Sequence, residues 1–284
     1  MTAKNTKKTK VISIEKDFVK GVDEEENKEQ ITTVLNLFGK KINIPESWDD
    51  INKDYLLAYV ESIRLGVNPE GILPFVLIQA NGIEKLLKEN ISIEGEKEKE
   101  NILAEVYRAS ETLAFLLEEN QLSFGIIDNI DGLFTPKKGL SDFKMLEYVV
   151  ANQFIQSFAQ RKKIQDLDAL CATILRNRSK GIRIPFSEAE HEFMLKQVKT
   201  ISLTTKLAIA KMYEGEILRL SKLYPLCFTG NGNSKSFPYD LITSVAGDKF
   251  GNVAQVEQTD IHIILQYIEK TIAENEKNKS NELE

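Results

Sequence analysis

The chain has 284 residues, 42% of them hydrophobic and 28% charged, with a formal net charge of -6. That hydrophobic share is enough for a sizeable core in one large domain or two small ones. The acidic balance excludes nucleic-acid binding through bulk positive charge and leaves room only for a local basic patch.

Residues 1–30 read as a flexible, charged tail. Lys4, Lys7, Lys8 and Lys10 make its start basic, and Asp23, Glu24, Glu25 and Glu26 make its end acidic; such like-charge runs are usually solvated. Met1 to Lys10 has no apolar stretch, so no secretory signal is expected. Between the two runs, Val11-Ile12-Ser13-Ile14 allows a short strand. Ile31 to Phe38 is rich in β-branched and apolar residues, Gly39-Lys40-Lys41 follows, and Ile42-Asn43-Ile44 alternates. Two such runs around a glycine predict a β-hairpin, although a helix over Glu29–Phe38 competes with its first strand. Pro45 ends the second strand, because it lacks the N–H that a ladder needs.

After Pro45 the apolar period changes from two to about 3.6. Leu56, Tyr59, Val60 and Ile63 share one helical face, closed by Gly66. Ile72 to Leu87 reads as two short helices with a joint at Asn81-Gly82. Leu103, Val106, Tyr107, Leu113, Leu116 and Leu117 mark a long amphipathic helix. Phe124 to Gly139 holds Gly125, Gly132, Pro136 and Gly139 and reads as an irregular connector. Ser141-Asp142 is the expected cap of a helix to about Gln160, and another spans about Asp166 to Arg176. Ser187 with Glu190 forms a capping box that opens a third. Thr204 to Leu223 is helical and is stopped by Pro225. Gly230 to Ser236 is an exposed loop, Pro238 opens a helix to about Ala246, and Gly247 to Asn252 is a turn. Thr259-Asp260 caps a last helix with the stripe Ile261, Ile264, Leu265, Ile268 and Ile272.

The expected fold is mainly α: a multi-helix bundle, as one body or two helical halves, with a small N-terminal β-hairpin. The expected layout is a tail at 1–30, the hairpin with a first helical half at 31–123, a connector at 124–140, a second half at 141–275, and a disordered tail at 276–284.

No catalytic, cofactor-binding or metal-binding constellation can be drawn from the residue spacing. Cys171 and Cys227 are far apart, lie among apolar neighbours and read as buried hydrophobes. His191 and His262 are the only histidines and show no ligand spacing. The Gly230–Ser236 loop lacks the G-x-x-x-x-G-K-[ST] order of a phosphate loop. Asp128-Asn129-Ile130-Asp131-Gly132 breaks the register of a calcium loop, so Asp128, Asp131 and Asp142 read as turn formers. One basic cluster stands out: Arg161, Lys162, Lys163, Arg176, Arg178, Lys180 and Arg183. Basic residues at helix C-termini complement the macrodipole, and the same set is the candidate patch for nucleic acid or an acidic protein. The stripe Ile261, Ile264, Leu265 and Ile268 is the candidate protein interface, with core packing as its other reading.

Ile42-Asn43-Ile44-Pro45-Glu46-Ser47-Trp48-Asp49-Asp50-Ile51 resembles the "I-P-x-S-W-x-E-[IL]" opening of a group of tailed-phage and prophage tail-region proteins. Leu140-Ser141-Asp142-Phe143 resembles their later helix start. Asp168 to Arg176, Pro185-Phe186 and Lys206 to Glu214 are similar to their central segments. Tyr239 to Gly247, through Val253 to Tyr267, is similar to the compact helical end of tail assembly chaperones. The resemblance covers roughly residues 30–275, with the Trp48 segment its most specific part.

The resemblance implies a non-enzymatic tail assembly or structural protein that works through protein–protein contacts with other tail components, in the host cytoplasm and without a cofactor. The alternative is a helical nucleic-acid-associated protein of a mobile element that uses the basic region 161–183. No run of about eighteen apolar residues is present, so no membrane partner is expected.

Overall fold

In a computed structural model the described residues are 14–19, 30–92, 95–179, 182–184, 186–228, 238–247 and 249–282. Several expectations fall outside them: the strand residues Val11 to Ser13, both charged runs of the N-terminal tail, Lys180 and the Gly230–Ser236 loop. The fold is mainly α, with a small antiparallel sheet at the N-terminal end. Contacts divide the chain into two units, Met1–Glu119 and Asn120–Glu284.

The first unit opens with β1 (Ile14–Val19), β2 (Gln30–Leu37) and β3 (Lys40–Ile44), antiparallel in that order. The expected hairpin is β2–β3. Leu37 pairs with Lys40, so Phe38-Gly39 is a two-residue turn, with φ of 51° and 81°. Positive φ at both turn residues matches the twist of the flanking strands. The competing helix over Glu29–Phe38 is not formed. β1 corrects the expected tail: six of its residues pair with β2, from Ile14–Leu35 to Val19–Gln30. Ile42 and Ile44 point inward while Lys41 and Asn43 point out.

Helices follow as the change of period predicts: α1 (Lys53–Arg64), α2 (Pro69–Asn81), α3 (Ile83–Asn90) and α4 (Glu96–Ser110). Asn52 caps α1 and Asn68 caps α2 through their side chains. Gly82, at φ 61°, is the joint between α2 and α3. The expected long helix changes at Glu111 into a 3-10 helix that ends at Leu117. Trp48 is 7% exposed, packed edge-on against Tyr59 and Phe115 with ring centroids 6.0 and 5.3 Å away. The Tyr55 hydroxyl donates to the Asn43 carbonyl and accepts from the Asn81 amide, which ties sheet, α1 and α2 together. Burial raises its pKa to about 12, so it stays a donor.

The second unit begins ahead of the expected connector. Residues 124–140 belong to it because Phe124, Ile127, Ile130, Leu133 and Leu140 are buried there. Inside that stretch β4 (Asn129–Ile130) and β5 (Leu133–Phe134) form a tiny hairpin around Asp131-Gly132, both at positive φ. The helices α5 (Met145–Arg161) and α6 (Ile164–Ile174) pack side by side. The cap of α5 is Lys144 rather than Ser141-Asp142, because Asp142 is engaged by the Lys137 N–H and Glu147 takes the Lys144 N–H. β6 (Arg178–Ser179) and β7 (Ile182–Arg183) make a second short hairpin.

Then come α7 (Glu188–Val198), α8 (Leu203–Leu223), α9 (Pro225–Phe228), α10 (Pro238–Val245), α11 (Val253–Glu257) and α12 (Ile261–Glu282). Ser187 caps α7, as its hydroxyl accepts from the Glu190 N–H. Helix α12 runs through most of the expected disordered tail 276–284; Lys270 and Glu274, one turn apart, pair along it. Among the described residues no helix is long and apolar enough to cross a membrane.

Candidate functional site

The basic cluster of the sequence does not form one surface. Arg176 is 0% exposed and Arg183 7%, so both belong to the interior. Arg183 Nη1 donates to both carboxylate oxygens of Glu147, at 3.0 and 2.9 Å, and Nη2 donates to the Ile174 carbonyl at 2.5 Å. Arg176 Nη1 donates to the Ala172 and Leu175 carbonyls, and its Nε lies 3.7 Å from Glu147. These carbonyls end α6 and have no partner inside the helix. The guanidiniums therefore cap α6, and Glu147, in the first turn of α5, offsets one of their two charges from the antiparallel neighbour. Burial and the nearby Arg183 lower the Arg176 pKa to about 10, which leaves it charged at neutral pH.

The other described members, Arg161, Lys162, Lys163 and Arg178, are exposed on the second unit. Arg161 pairs with Asp166 at 2.7 Å. Lys162 closes α5 in the left-handed conformation and lies over Phe158. Lys163 is exposed at the start of α6. The Arg178 guanidinium sits 4.3 Å from the centre of the Phe134 ring. The candidate protein interface is corrected in the same way. Ile261 and Ile264 are 0% exposed and Leu265 2%, with Ile268 half-buried, because α12 packs that stripe on α5 and α9.

The histidines serve packing. His191 is stacked on Phe154 at 5.7 Å, tilted against Phe186 at 5.6 Å, and near Thr173 Oγ1 at 3.4 Å. Desolvation first, and then the Arg176 charge, lowers its pKa. His262 bonds the Gly139 carbonyl through Nε2 at 2.6 Å and the Tyr224 hydroxyl through Nδ1 at 2.9 Å. Glu216, buried in α8, accepts from the Phe124 and Gly139 N–H groups at 2.9 and 3.0 Å, closing both ends of the 124–140 stretch. Desolvation is the main reason its pKa is raised. Beside it, a Cβ on Gly215 would lie 2.1 Å from the Leu122 carbonyl oxygen, so only glycine fits. Burial raises both thiol pKa values, Cys227 to about 12, which keeps them protonated and unreactive. Among the described residues no group of three or more His, Cys, Asp and Glu is placed to hold a metal ion.

The open feature is in the first unit and was not found by sequence reasoning. Helices α3 and α4 each pack on α2 and scarcely on one another. Between them lies a cleft of about 670 Å³. Ile78 of α2 is among its lining residues, Leu87 and Ile91 line one side, and Leu103 and Tyr107 the other. Glu84 and Lys88 on one bank, and Glu96 and Lys99 on the other, carry the rim's charges, and Ser92 and Gly95 line it between the helices. Tyr107 is 55% exposed although its ring is large and apolar. In the sequence its signal was Leu103 and Tyr107 at i and i+4, assigned there to the core stripe.

No protein-family model, curated protein or solved structure matches the chain.

Proposed function

We propose that the chain is a non-enzymatic bacteriophage-type tail assembly or structural protein that acts by binding other proteins. The observation that carries the binding part is the open, apolar-walled cleft between α3 and α4, with Tyr107 left largely in solvent at its edge. Exposed apolar surface set inside a polar rim marks an interaction site, and aromatic side chains are the usual anchors of one. The tail-assembly part rests on the resemblance around Ile42 to Ile51, whose Trp48 joins the aromatic core of the first unit.

The test is co-expression of the full chain with the tail-tube and tape-measure proteins of its own locus, followed by affinity purification. A tail component is expected to co-purify in stoichiometric amount. Failure of every tail protein to bind, with the chain folded, overturns the tail-assembly reading.

A further inference from the structure

We infer that the α3–α4 cleft receives one amphipathic helix of a partner protein, an inference that rests on the protein-binding reading above. The geometry argues for a helix. Both banks are helices and both sit on α2, so the cleft has the form of a bundle from which one member is missing. Apart from Ile91, Ser92 and Gly95, the lining side chains belong to helices whose backbone groups are bonded internally, so among the described residues no strand edge is offered and an extended peptide gains no ladder. The apolar wall residues are Leu87 on α3, Ile91 just past its end, and Leu103 and Tyr107 on α4.

Charge argues for a protein rather than an anion. The rim carries Glu84 and Lys88 on one bank and Glu96 and Lys99 on the other, two of each sign and no net charge. A nucleic acid or a lipid headgroup needs a positive rim. An amphipathic helix bears mixed charges on its flanks, and these can pair with both banks while its apolar face fills the floor. From Glu84 to Ile91 and from Glu96 to Tyr107 the banks span 8 and 12 residues. At 1.5 Å per residue the longer bank is about 18 Å, which fits a partner helix of about three turns. Its anchors would recur at i, i+3 or i+4, and i+7, with one packed against Tyr107.

The test uses the full-length chain and two displayed peptide libraries. One presents randomised apolar positions on an Ala/Glu/Lys helical frame of about 16 residues; the other presents the same residues on a β-hairpin frame. Helical binders with the i, i+3/i+4, i+7 spacing are expected, and Tyr107→Asp should weaken them about tenfold or more. Leu103→Ala, a milder change at the same wall, should weaken them as well, which keeps the result readable if Tyr107→Asp disturbs the fold. Enrichment of hairpin binders alone, or helical binding indifferent to both variants, overturns the inference. Helical binding without any co-purifying tail protein leaves the cleft as a helix receptor and removes the tail reading. Co-purification of a tail protein that ignores both variants does the reverse.

Discussion

Glu147 is the residue on which the second unit's interior charge depends. One carboxylate faces two buried guanidiniums, with Arg183 Nη1 donating to both of its oxygens and Arg176 Nε at 3.7 Å. Removing one partner of a buried pair strands the other charge, at a cost of about 3–5 kcal/mol. Glu147→Gln is therefore expected to lower the unfolding free energy by that amount, read by circular dichroism as a lower urea midpoint with the slope unchanged. A change below about 1 kcal/mol would mean that the arginines are neutralised by something else. None of this could be read from the sequence. Glu147 and Arg183 lie 36 residues apart, and arginine is rarely fully buried, so a cluster of seven basic residues looked like surface. The macrodipole reading was available, and it applies to Arg176 and Arg183, but burial removes them from any patch. Trp48 was more legible. A single large aromatic between a strand end and a helix start has few places to go but the core.

At the scale of elements, period was a better guide than cap chemistry. The α2–α3 joint at Gly82 and the long α8 follow from apolar spacing. The start of α5 did not, because Ser141-Asp142 has the right residue types and Asp142 is used by the Lys137 N–H instead. Helix α11 was missed although its signal is present: Asn252 and Gln255 form a reciprocal capping box. The short strand expected at Val11–Ile14 shares only Ile14 with β1, because Glu15, Lys16 and Asp17 hide the alternation further on, while the pairing with β2 is made by backbone groups. Helix α7 carries a further expectation. His191, held between Phe154 and Phe186 and near Arg176, has a lowered pKa. Below the ordinary histidine value of about 6.5 the unfolded chain takes up a proton that the folded chain refuses. Stability should therefore fall on acidification from about pH 6.5 downward and be flat in this term above it. Glu216 acts with the opposite sign: its raised pKa means the folded state binds the extra proton, so its contribution is lost as pH rises above the usual carboxylate value. Thermal melts of wild type and His191→Gln between about pH 7 and pH 5 separate the two. The variant should lose less stability over that window, and equal losses would remove His191 as the cause.

For the whole molecule the question is which class of partner its surface fits. The net charge of -6 opposes nucleic acid from the start, and the fold withdraws Arg176 and Arg183 from the local exception. Of the seven basic residues at 161–183, Arg176 and Arg183 are internal, Arg161 is committed to Asp166, and Arg178 lies over Phe134. Binding to duplex DNA draws its strength from neutralised phosphates, each contributing a slope of about -0.9 in log K against log salt. Scattered and paired cations cannot sum in this way. A fluorescently labelled duplex titrated with the full chain at about 50 mM salt, where such binding is strongest, is expected to show no saturable change in anisotropy. Saturable binding that weakens steeply between about 50 and 200 mM salt would return the basic region to candidacy. Among the described members, the first it would involve is Lys163, exposed at the start of α6. Lys163→Glu in that case should lower the salt slope by about one. Without such binding, the neutral-rimmed cleft between α3 and α4 stays the surface proposed to receive another polypeptide.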